Sequence, residues 1–482
     1  MTTLFRLLIL AICFIVGAAI ASSSIVRAAE TRPNLIVINI DDMGYADIAP
    51  FGSKLNRTPN LDRMAAEGRK LTCFYAAPVC SPSRSALMTG CYPKRVLPIP
   101  GVLFPAYATG LSPHEITIAE LLKKRGYATA CIGKWHLGDQ PEFLPTRQGF
   151  DYYFGLPYSN DMGPAEDGVK SSLGAPIPKR RRKGKAQPPL PMMRNETVLQ
   201  RVLPGDQIRL VELYTKEAVQ FIRAHREGPF FVYLPHSAVH FPIYPGKAFQ
   251  GRSPHGYYSD WVEEVDWSVG QVLDTVRALK LAHNTFVLFT SDNGGTKRAV
   301  NAPLRGFKGS TWEGGMREPT IAWWPGKIPA GTETGMVTGM IDVLPTLAKL
   351  AGAALPRDRK LDGADIWPIL AGVPDAKPVH EVFYYFRGLR LEAVRSGDWK
   401  LRLAGKQLYN LADDIGESTS VAAAHPEVVQ RLRQLASAMD KDLGVNGLGP
   451  GVRPLGRVDD PQPLIDWDGK IRPGFEATPA KK

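Results

Sequence analysis

The stretch NLIVINIDD, residues 34–42, has the pattern of a central strand in a parallel sheet. Its first seven residues are mostly apolar and lack the polar alternation of a strand with one wet face. A continuous apolar run of this length is typical of a strand buried on both faces. We therefore predict a buried β-strand at 34–40, with Asp41 and Asp42 directly beyond its carboxyl end.

Similar apolar runs recur along the chain and alternate with helical patterns. Further strands are predicted at residues 127–133, 229–235, 284–290 and 319–326. Helices are predicted at 58–68, 112–126, 258–280 and 341–352, several of them with Pro near the start and Gly after the end. This alternation predicts an α/β domain with a mostly parallel central sheet flanked by helices.

The pattern changes from about residue 379 onwards. Short aromatic or alternating strands are followed there by one helix at 425–444. We predict a large domain at 30–378, with a Pro-rich basic insertion at 163–200. A small C-terminal α+β domain at 379–482 would hold an antiparallel sheet, the helix and a tail.

The N-terminal residues 1–29 have the character of a secretory signal peptide. Arg6 precedes an apolar run that ends in small residues, and the run is short for a membrane span. We therefore expect a secreted or periplasmic protein, or a lysosomal one in a eukaryotic cell. No membrane span is expected after signal cleavage.

The formal net charge of +12 is uneven along the chain, because six positive charges lie in KRRRKGK, residues 179–185. A solvated surface loop is the favoured interpretation. Nuclear localisation conflicts with a signal peptide, and no nucleic-acid-binding motif accompanies the run, so no nucleic-acid partner is expected. The run could instead steer a polyanionic substrate towards the protein.

Charged or metal-binding side chains follow four of the predicted strands. Ligands of open α/β sheets bind beyond the carboxyl ends of the strands, so this placement predicts a functional site at one sheet edge. The residues concerned are Asp41, Asp42, Lys134, His136, His236, His240, Asp292 and Asn293.

Two kinds of chemistry are represented in the candidate site. Oxygen donors of the Asp and Asn type suit Ca²⁺ or Mg²⁺ better than a soft metal. A cationic set suits a negatively charged group that is transferred in a reaction. The oxygen donors are Asp41, Asp42, Asp292 and Asn293, and the cationic set is Arg84, Lys134, His136, His240 and Lys308.

Cys80 has three candidate roles: half of a disulfide, a small buried hydrophobe, or a side chain used in chemistry. It lies at the predicted start of a helix, where backbone N–H groups and the helix dipole favour negative charge. That position suits a nucleophile attacking an anionic ester, but a free thiol is a liability in an oxidising compartment. One disulfide among Cys73, Cys91 and Cys131 remains open.

The residues around Cys80 resemble the signature of the sulfatase family, C-x-P-S-R followed by L-T-G. The family's other motifs have counterparts in the same order: DDMGYAD, TPNLDRMAAEG, GKWHLG, SDNGG and FKGSTWEGGMREP. FGLPYSNDMGP is most similar to the arylsulfatase A and N-acetylgalactosamine-6-sulfatase branch. The resemblance covers about residues 33–410. Met88 stands where the signature has Leu, and Ala46 where the metal motif has Gly.

This resemblance implies an alkaline-phosphatase-like fold and hydrolysis of a sulfate ester, carried by a sulfated small molecule or a sulfated glycan. It implies that a formylglycine-generating enzyme oxidises Cys80 to Cα-formylglycine, whose hydrate attacks sulfur. It also implies a metal site of Asp41, Asp42, Asp292 and Asn293, completed by residue 80. Ca²⁺ is the expected ion, with Mg²⁺ as the alternative.

The resemblance also assigns roles to the cationic residues. Arg84 and Lys134 would hold the formylglycine oxygens, and His136 would take a proton from its second hydroxyl. His240 would protonate the leaving alcohol, and Lys308 would neutralise sulfate oxygens. The residues expected to contact the substrate are Ser159, Lys134, His240 and Lys308.

Two other functions are weighed against this one. The first is a phosphate or phosphonate ester hydrolase of the same superfamily, since both esters are tetrahedral and react by in-line displacement. The second is a non-catalytic protein that binds sulfated glycans, in which Cys80 stays a thiol. The family signature around Cys80 and the full set of expected catalytic residues favour the sulfatase. His236 matches no catalytic position of the family, and we expect it to be structural.

Overall fold

The computed structural model describes residues 32–178 and 187–477. The predicted signal peptide and the basic run 179–185 lie outside these ranges. Among the helices of the described residues, none combines the length and the apolarity that crossing a bilayer requires.

Seventeen strands are found in the described residues. In chain order they are β1 Asn34–Ile40, β2 Arg69–Tyr75, β3 Thr109–Gly110, β4 Ala128–Ile132, β5 Tyr152–Gly155, β6 Pro191–Arg194, β7 Thr197–Arg201, β8 Phe230–Pro235, β9 Thr285–Ser291, β10 Arg317–Trp323, β11 Thr332–Thr334, β12 Thr338–Gly339, β13 Phe383–Arg387, β14 Arg390–Ser396, β15 Trp399–Arg402, β16 Gln407–Asn410 and β17 Gly456–Arg457.

Eleven of these strands form one mixed central sheet, in the order β11-β2-β10-β9-β1-β8-β4-β5-β6-β7, with β12 also paired to β2. The centre is parallel, because β1 pairs in parallel with both β8 and β9, and β4 pairs in parallel with β8. Strand β10 runs antiparallel to β9 and β2. The carboxyl ends of β9, β1, β8 and β4 therefore meet at one edge of the sheet.

The burial of β1 explains its apolar sequence. Leu35 and Val37 belong to one hydrophobic cluster, whereas Ile36, Ile38 and Ile40 belong to a second cluster. Alternate side chains of a strand point to opposite faces of the sheet, so each face of β1 is covered by its own apolar layer. This central strand has no wet face, as predicted.

Helices cover the sheet. The α-helices are Pro59–Glu67, Cys80–Thr89, Pro93–Val96, Ile118–Lys123, Pro204–Gln207, Leu210–Ala224, Tyr257–Ala278, Glu313–Met316, Val343–Leu350, Trp367–Leu370 and Pro426–Ala438. The helix predicted at 112–126 begins only at Ile118, so the prediction of its start was wrong. Thr117 accepts a hydrogen bond from the Glu120 amide, and the Glu120 side chain bonds back, so a capping box sets the start.

A small antiparallel sheet, β13-β14-β15-β16, follows the large one, as predicted, and the helix Pro426–Ala438 packs on it. The tail that follows returns to the large sheet's region, where β17 pairs with β3. The edge strands β6 and β7 lie at the end of the predicted insertion 163–200, and β7 extends one residue beyond it. The predicted α/β class with a mostly parallel centre and a small antiparallel sheet is confirmed.

Candidate active site

Four parallel strands deliver their polar residues to the same sheet edge. Asp41 and Asp42 follow β1, and Lys134 and His136 follow β4, while His240 lies five residues beyond the end of β8. Asp292 and Asn293 follow β9 directly. All of these side chains are buried except that of His240, which is partly exposed. The set that sequence places at separate strand ends is therefore one cluster in space.

The carboxylates lie close together. One ligand atom each of Asp41, Asp292 and Cys80 lies within 4.8 Å of the other two, and the same holds for Asp41, Asp42 and His240. The Asn293 amide donates to Asp42 Oδ1 at 2.8 Å, and the Asp42 backbone N–H donates to Asp292 Oδ1 at 3.4 Å. These contacts draw the four oxygen-donor residues into one group, in which Asp41 and Asp292 lie next to the side chain of residue 80.

Two buried oxygens of this group, Asp41 Oδ1 and Asn293 Oδ1, have no hydrogen-bond partner among the described residues. A buried polar atom without a partner costs free energy, so each calls for a ligand. Burial and the neighbouring negative charge of Asp41 raise the pKa of Asp292 to about 7. Carboxylate and amide oxygens that crowd together in this way fit a hard divalent cation, whose charge would relieve their repulsion.

Three cations neutralise part of the acidic cluster. Arg84 Nε donates to Asp292 Oδ2 at 2.8 Å, and Arg84 Nη2 forms an ion pair with the same oxygen at 2.8 Å. Lys134 Nζ donates to Asp41, and Lys308 Nζ lies 2.6 Å from Asp42 Oδ1. Burial alone would raise the pKa of Asp41, but the positive charges led by Lys134 outweigh it and hold that pKa well below its usual range.

Cys80 is the first residue of the helix Cys80–Thr89, and Val79 before it is extended. Its side chain is buried, yet its neighbours are charged groups rather than apolar ones. Burial raises the pKa of the Cys80 thiol, an effect that Lys134 and Lys308 oppose. An unmodified thiol here would therefore be neutral and a weak nucleophile.

The four described cysteines are buried free thiols: Cys73, Cys80, Cys91 and Cys131. Neither a disulfide nor a second candidate metal cluster involves Cys73, Cys91 or Cys131 within residues 32–178 and 187–477. Of these cysteines, only Cys80 lies among the site residues.

The two histidines of the site are held differently. His136 Nε2 lies 2.9 Å from the Leu103 carbonyl oxygen, while Nδ1 has no partner within the part of the chain that the structure describes. Burial, helped by the charges of Lys134 and Arg84, places the pKa of His136 well below its usual value. A neutral ring that donates from Nε2 presents a free lone pair at Nδ1.

His240 lies beside Asp42 of the acidic cluster. Its Nδ1 is 2.5 Å from the Phe241 carbonyl oxygen and 3.4 Å from Ser159 Oγ, and its Nε2 is 3.8 Å from Asp42 Oδ2. Ser159 also accepts from Lys134 Nζ at 3.2 Å, so this serine joins Lys134 to His240.

His236, which precedes His240 on the same loop, stands apart from this set. Its Nε2 lies 3.0 Å from Ser268 Oγ, and burial lowers the pKa of its ring to about 3.

Sequence reasoning missed the groups that support these side chains. The Leu103 carbonyl orients His136, and the Leu103 amide donates to Ser81 Oγ at 3.2 Å, which ties its loop to the helix of Cys80. Glu318 of β10 is fully buried, and neither of its oxygens has a partner in the described ranges. Burial, followed by the charges of Asp292 and Asp42, raises the pKa of Glu318 well above its usual value. The sequence evidence that could have identified Glu318 is the motif FKGSTWEGGMREP, which contains it.

A buried ion network joins the small sheet to the segment that carries Lys308. Lys400 of β15 donates to Glu313 Oε1 at 2.8 Å and to the Thr311 carbonyl at 2.9 Å. Its ammonium also lies 2.9 Å from Glu417 Oε1. Lys400, Glu313 and Glu417 are completely buried. The network therefore fixes residues 311–313, just beyond Lys308.

Comparison with known proteins agrees with this arrangement. A sulfatase family model matches residues 33–353. N-acetylgalactosamine-6-sulfatase of Sus scrofa is 39% identical over 78% of this chain and 72% of its own length. Arylsulfatase A of Homo sapiens is 37% identical over 85% of this chain and 88% of its own.

Among solved structures, Ps i-CgsB in complex with k-i-k-neocarrahexaose has a TM-score of 0.72 at 30% identity. That match covers 85% of this chain and 93% of that one. The residues that the family model matches include all the strand ends that form the site. The chain belongs to the sulfatase family and is a sulfuric ester hydrolase.

Proposed function

We propose that this sulfatase releases sulfate from a sulfated carbohydrate, using a Cα-formylglycine at position 80 and one divalent cation. The observation that carries the proposal is the position of Cys80, at a helix tip within 4.8 Å of ligand atoms of Asp41 and Asp292. A thiol with a raised pKa is a poor nucleophile there, whereas the hydrate of an aldehyde supplies a hydroxyl that can attack sulfur.

The cation would be held by Asp41, Asp42, Asp292 and Asn293, with residue 80 beside them. Ca²⁺ is the ion we propose, and Mg²⁺ is the alternative that the same oxygen donors allow. When bound, such an ion acts as a Lewis acid that polarises sulfate oxygens. The unpartnered oxygens of Asp41 and Asn293 support this assignment.

Arg84 and Lys134 are proposed to orient the oxygens of residue 80. Arg84 is fixed by its two contacts with Asp292, so its guanidinium has little freedom to move. His136 is proposed to accept the proton of the second hydroxyl at Nδ1, because the Leu103 carbonyl occupies Nε2. The depressed pKa of His136 keeps that nitrogen unprotonated before the transfer.

His240 is proposed to donate a proton to the leaving alcohol from Nε2. Its Nδ1 donates to the Phe241 carbonyl, so Nε2 is the nitrogen that remains for the substrate, and it can give a proton only from the imidazolium form of the ring. Lys308 lies against Asp42, where burial opposes its charge but the carboxylate outweighs burial and raises the pKa of the ammonium. It therefore stays charged and can neutralise sulfate oxygens, while Ser159 would donate a hydrogen bond to the same group.

The substrate class is proposed from the relatives. N-acetylgalactosamine-6-sulfatase is named for a sulfated sugar, and the Ps i-CgsB structure contains k-i-k-neocarrahexaose. A formylglycine-generating enzyme is the proposed maturation partner. The apolar N-terminal segment supports export to the periplasm, the exterior or a lysosome.

The experiment compares two esters with one enzyme preparation. The protein is produced together with a formylglycine-generating enzyme, and turnover of 4-nitrophenyl sulfate is compared with turnover of bis(4-nitrophenyl) phosphate. We expect a higher kcat/KM for the sulfate, and we expect C80A to lose that activity while still folding. Preference for the phosphate diester would contradict the proposal and favour a phosphoester hydrolase.

A further inference from the structure

Two exposed cations lie on the loop that joins the proposed metal ligands to Lys308. Lys297 and Arg298 follow Asn293 closely, and both are exposed. Neither forms an ion pair with an acid in residues 32–178 or 187–477. Their charges are therefore free to interact with an anionic group of a ligand.

Each cation lies against the ring of a residue that adjoins a site residue. Lys297 Nζ is 5.4 Å from the centroid of Phe307, and Phe307 directly precedes Lys308. Arg298 Cζ is 5.3 Å from the centroid of Phe241, and Phe241 directly follows His240. A cation at this distance from a ring face is attracted to it, so each side chain has a preferred position. Lys297 therefore lies beside the chain neighbour of Lys308, and Arg298 beside the chain neighbour of His240.

The base of this loop is firmly held. The Lys308 amide donates to the Gly295 carbonyl at 3.0 Å, and the Asn301 side chain bonds both the amide and the carbonyl of Gly295. Val300 donates to Asp47 Oδ1 at 2.9 Å, next to the segment of the acidic ligands. A turn closed by the Ala299 amide and the Thr296 carbonyl presents residues 297 and 298 at the tip. These hydrogen bonds fix the base of the loop against Lys308 and Asp47.

We propose that Lys297 and Arg298 form an anion clamp, which binds a second negative group of the substrate next to the sulfate that is removed. This inference rests on the proposed function, because it deepens the substrate class from a sulfated carbohydrate to one with at least two anionic groups. The second group is a sulfate or a carboxylate of the sugar chain, since a planar guanidinium and an ammonium bind either one.

The test measures binding and turnover separately. Binding uses C80A, so that no ligand is consumed, and three probes: a disulfated disaccharide, its monosulfated counterpart, and a monosulfated disaccharide with a uronic acid. The variant is K297Q/R298Q. The matched control is K280Q/K327Q, which removes two exposed positive charges at the opposite end of the sheet. Turnover of 4-nitrophenyl sulfate is measured in protein that keeps Cys80 and is produced together with a formylglycine-generating enzyme.

We expect the clamp variant to weaken binding of the disulfated probe roughly five- to tenfold, with little effect on the monosulfated one, since each exposed charge pair contributes modestly. The preference should shrink as salt is added. If the uronic acid probe behaves like the disulfated one, the clamp accepts either anion, and if not, it selects sulfate. An unchanged preference in K297Q/R298Q, or an equal loss in the control, overturns the clamp.

The two proposals fail in different ways. Turnover of 4-nitrophenyl sulfate should be nearly unchanged in K297Q/R298Q, because this ester has a single anionic group. If the parent enzyme releases sulfate neither from that ester nor from the sulfated disaccharides, the proposed function fails, while the binding ratios in C80A still decide on the clamp.

Discussion

Replacing Lys400 by Met should destabilise the protein and loosen the segment that carries Lys308. The substitution removes one positive charge from a completely buried position and leaves the carboxylates of Glu313 and Glu417 behind. Burial alone would raise the pKa of Glu313, but the charge of Lys400, with Arg317, lowers it to about 2. Lys400 is therefore the main partner of a carboxylate that has no access to water.

The size of the effect follows from this geometry. Removing one partner of a buried ion pair costs about 3–5 kcal/mol, because the other charge stays buried. For the roughly 440 residues that the structure describes, the entropy of unfolding is roughly 0.9 kcal/mol per kelvin, so the Tm of K400M should fall by about 3–5 °C. Glu313 keeps the hydroxyls of Tyr75 and Tyr385, which limits the loss.

A double variant tests whether the lost stability comes from the carboxylates that K400M leaves unpaired. K400M/E417Q removes one of the abandoned carboxylates and should recover about half of the lost stability, because contacting residues are energetically coupled. K441M, at an exposed lysine, is the control for loss of one charge. Thermal unfolding gives the Tm values, and kcat/KM at 20 °C for 4-nitrophenyl sulfate reports on the Lys308 segment. If K400M and K441M unfold at the same temperature, the buried network does not stabilise the fold as we argue.

Three further predictions concern titration and metal binding. E318Q should match the parent below pH 4.5 and become relatively more stable as pH rises, because the unfolded Glu318 ionises while the buried one stays protonated. If the Tm values of E318Q and of the parent change in parallel with pH, this prediction is contradicted. For His380, burial opposes the charged form but Asp342 outweighs it and raises the pKa. The ion pair of His380 and Asp342 should thus stabilise the fold fully below pH 6.5, and this stabilisation should be lost as pH rises through the raised pKa of His380. The Tm of H380Q should not show this decline. Chelation should lower the Tm by about 3 °C, because a cation at about a hundred times its Kd stabilises the fold by about 2.7 kcal/mol. Readdition of Ca²⁺ should restore the Tm, and an unchanged Tm would exclude a resident cation.

The central sheet and the positions of the polar residues follow from local patterns. An apolar run such as residues 34–40 indicates a strand buried on both faces, and the residues after it lie at its carboxyl end whatever the rest of the chain does. Asp41, Asp42, Asp292 and Asn293 were predicted to meet for this reason. Parallel pairing of β1 with β8 and β9 then brings the ends together.

Contacts between distant parts of the chain have no such local signal. Lys400 is 87 positions from Glu313, and nothing around either residue indicates that they pair. The early start predicted for the helix at 112–126 has a different cause, because a capping box at Thr117 competes with helical pattern upstream of it. The ring contacts of Lys297 and Arg298 depend on how their loop is anchored, which only the folded chain defines.

Mass spectrometry of the peptide that contains residue 80, combined with sulfate release, tests the central claim most directly. Preparations with different degrees of conversion are obtained by varying co-expression of a formylglycine-generating enzyme. The account predicts that sulfate release from 4-nitrophenyl sulfate rises in proportion to the aldehyde fraction and vanishes in protein that holds only the thiol. Full activity in a preparation whose residue 80 is entirely unmodified cysteine would contradict it.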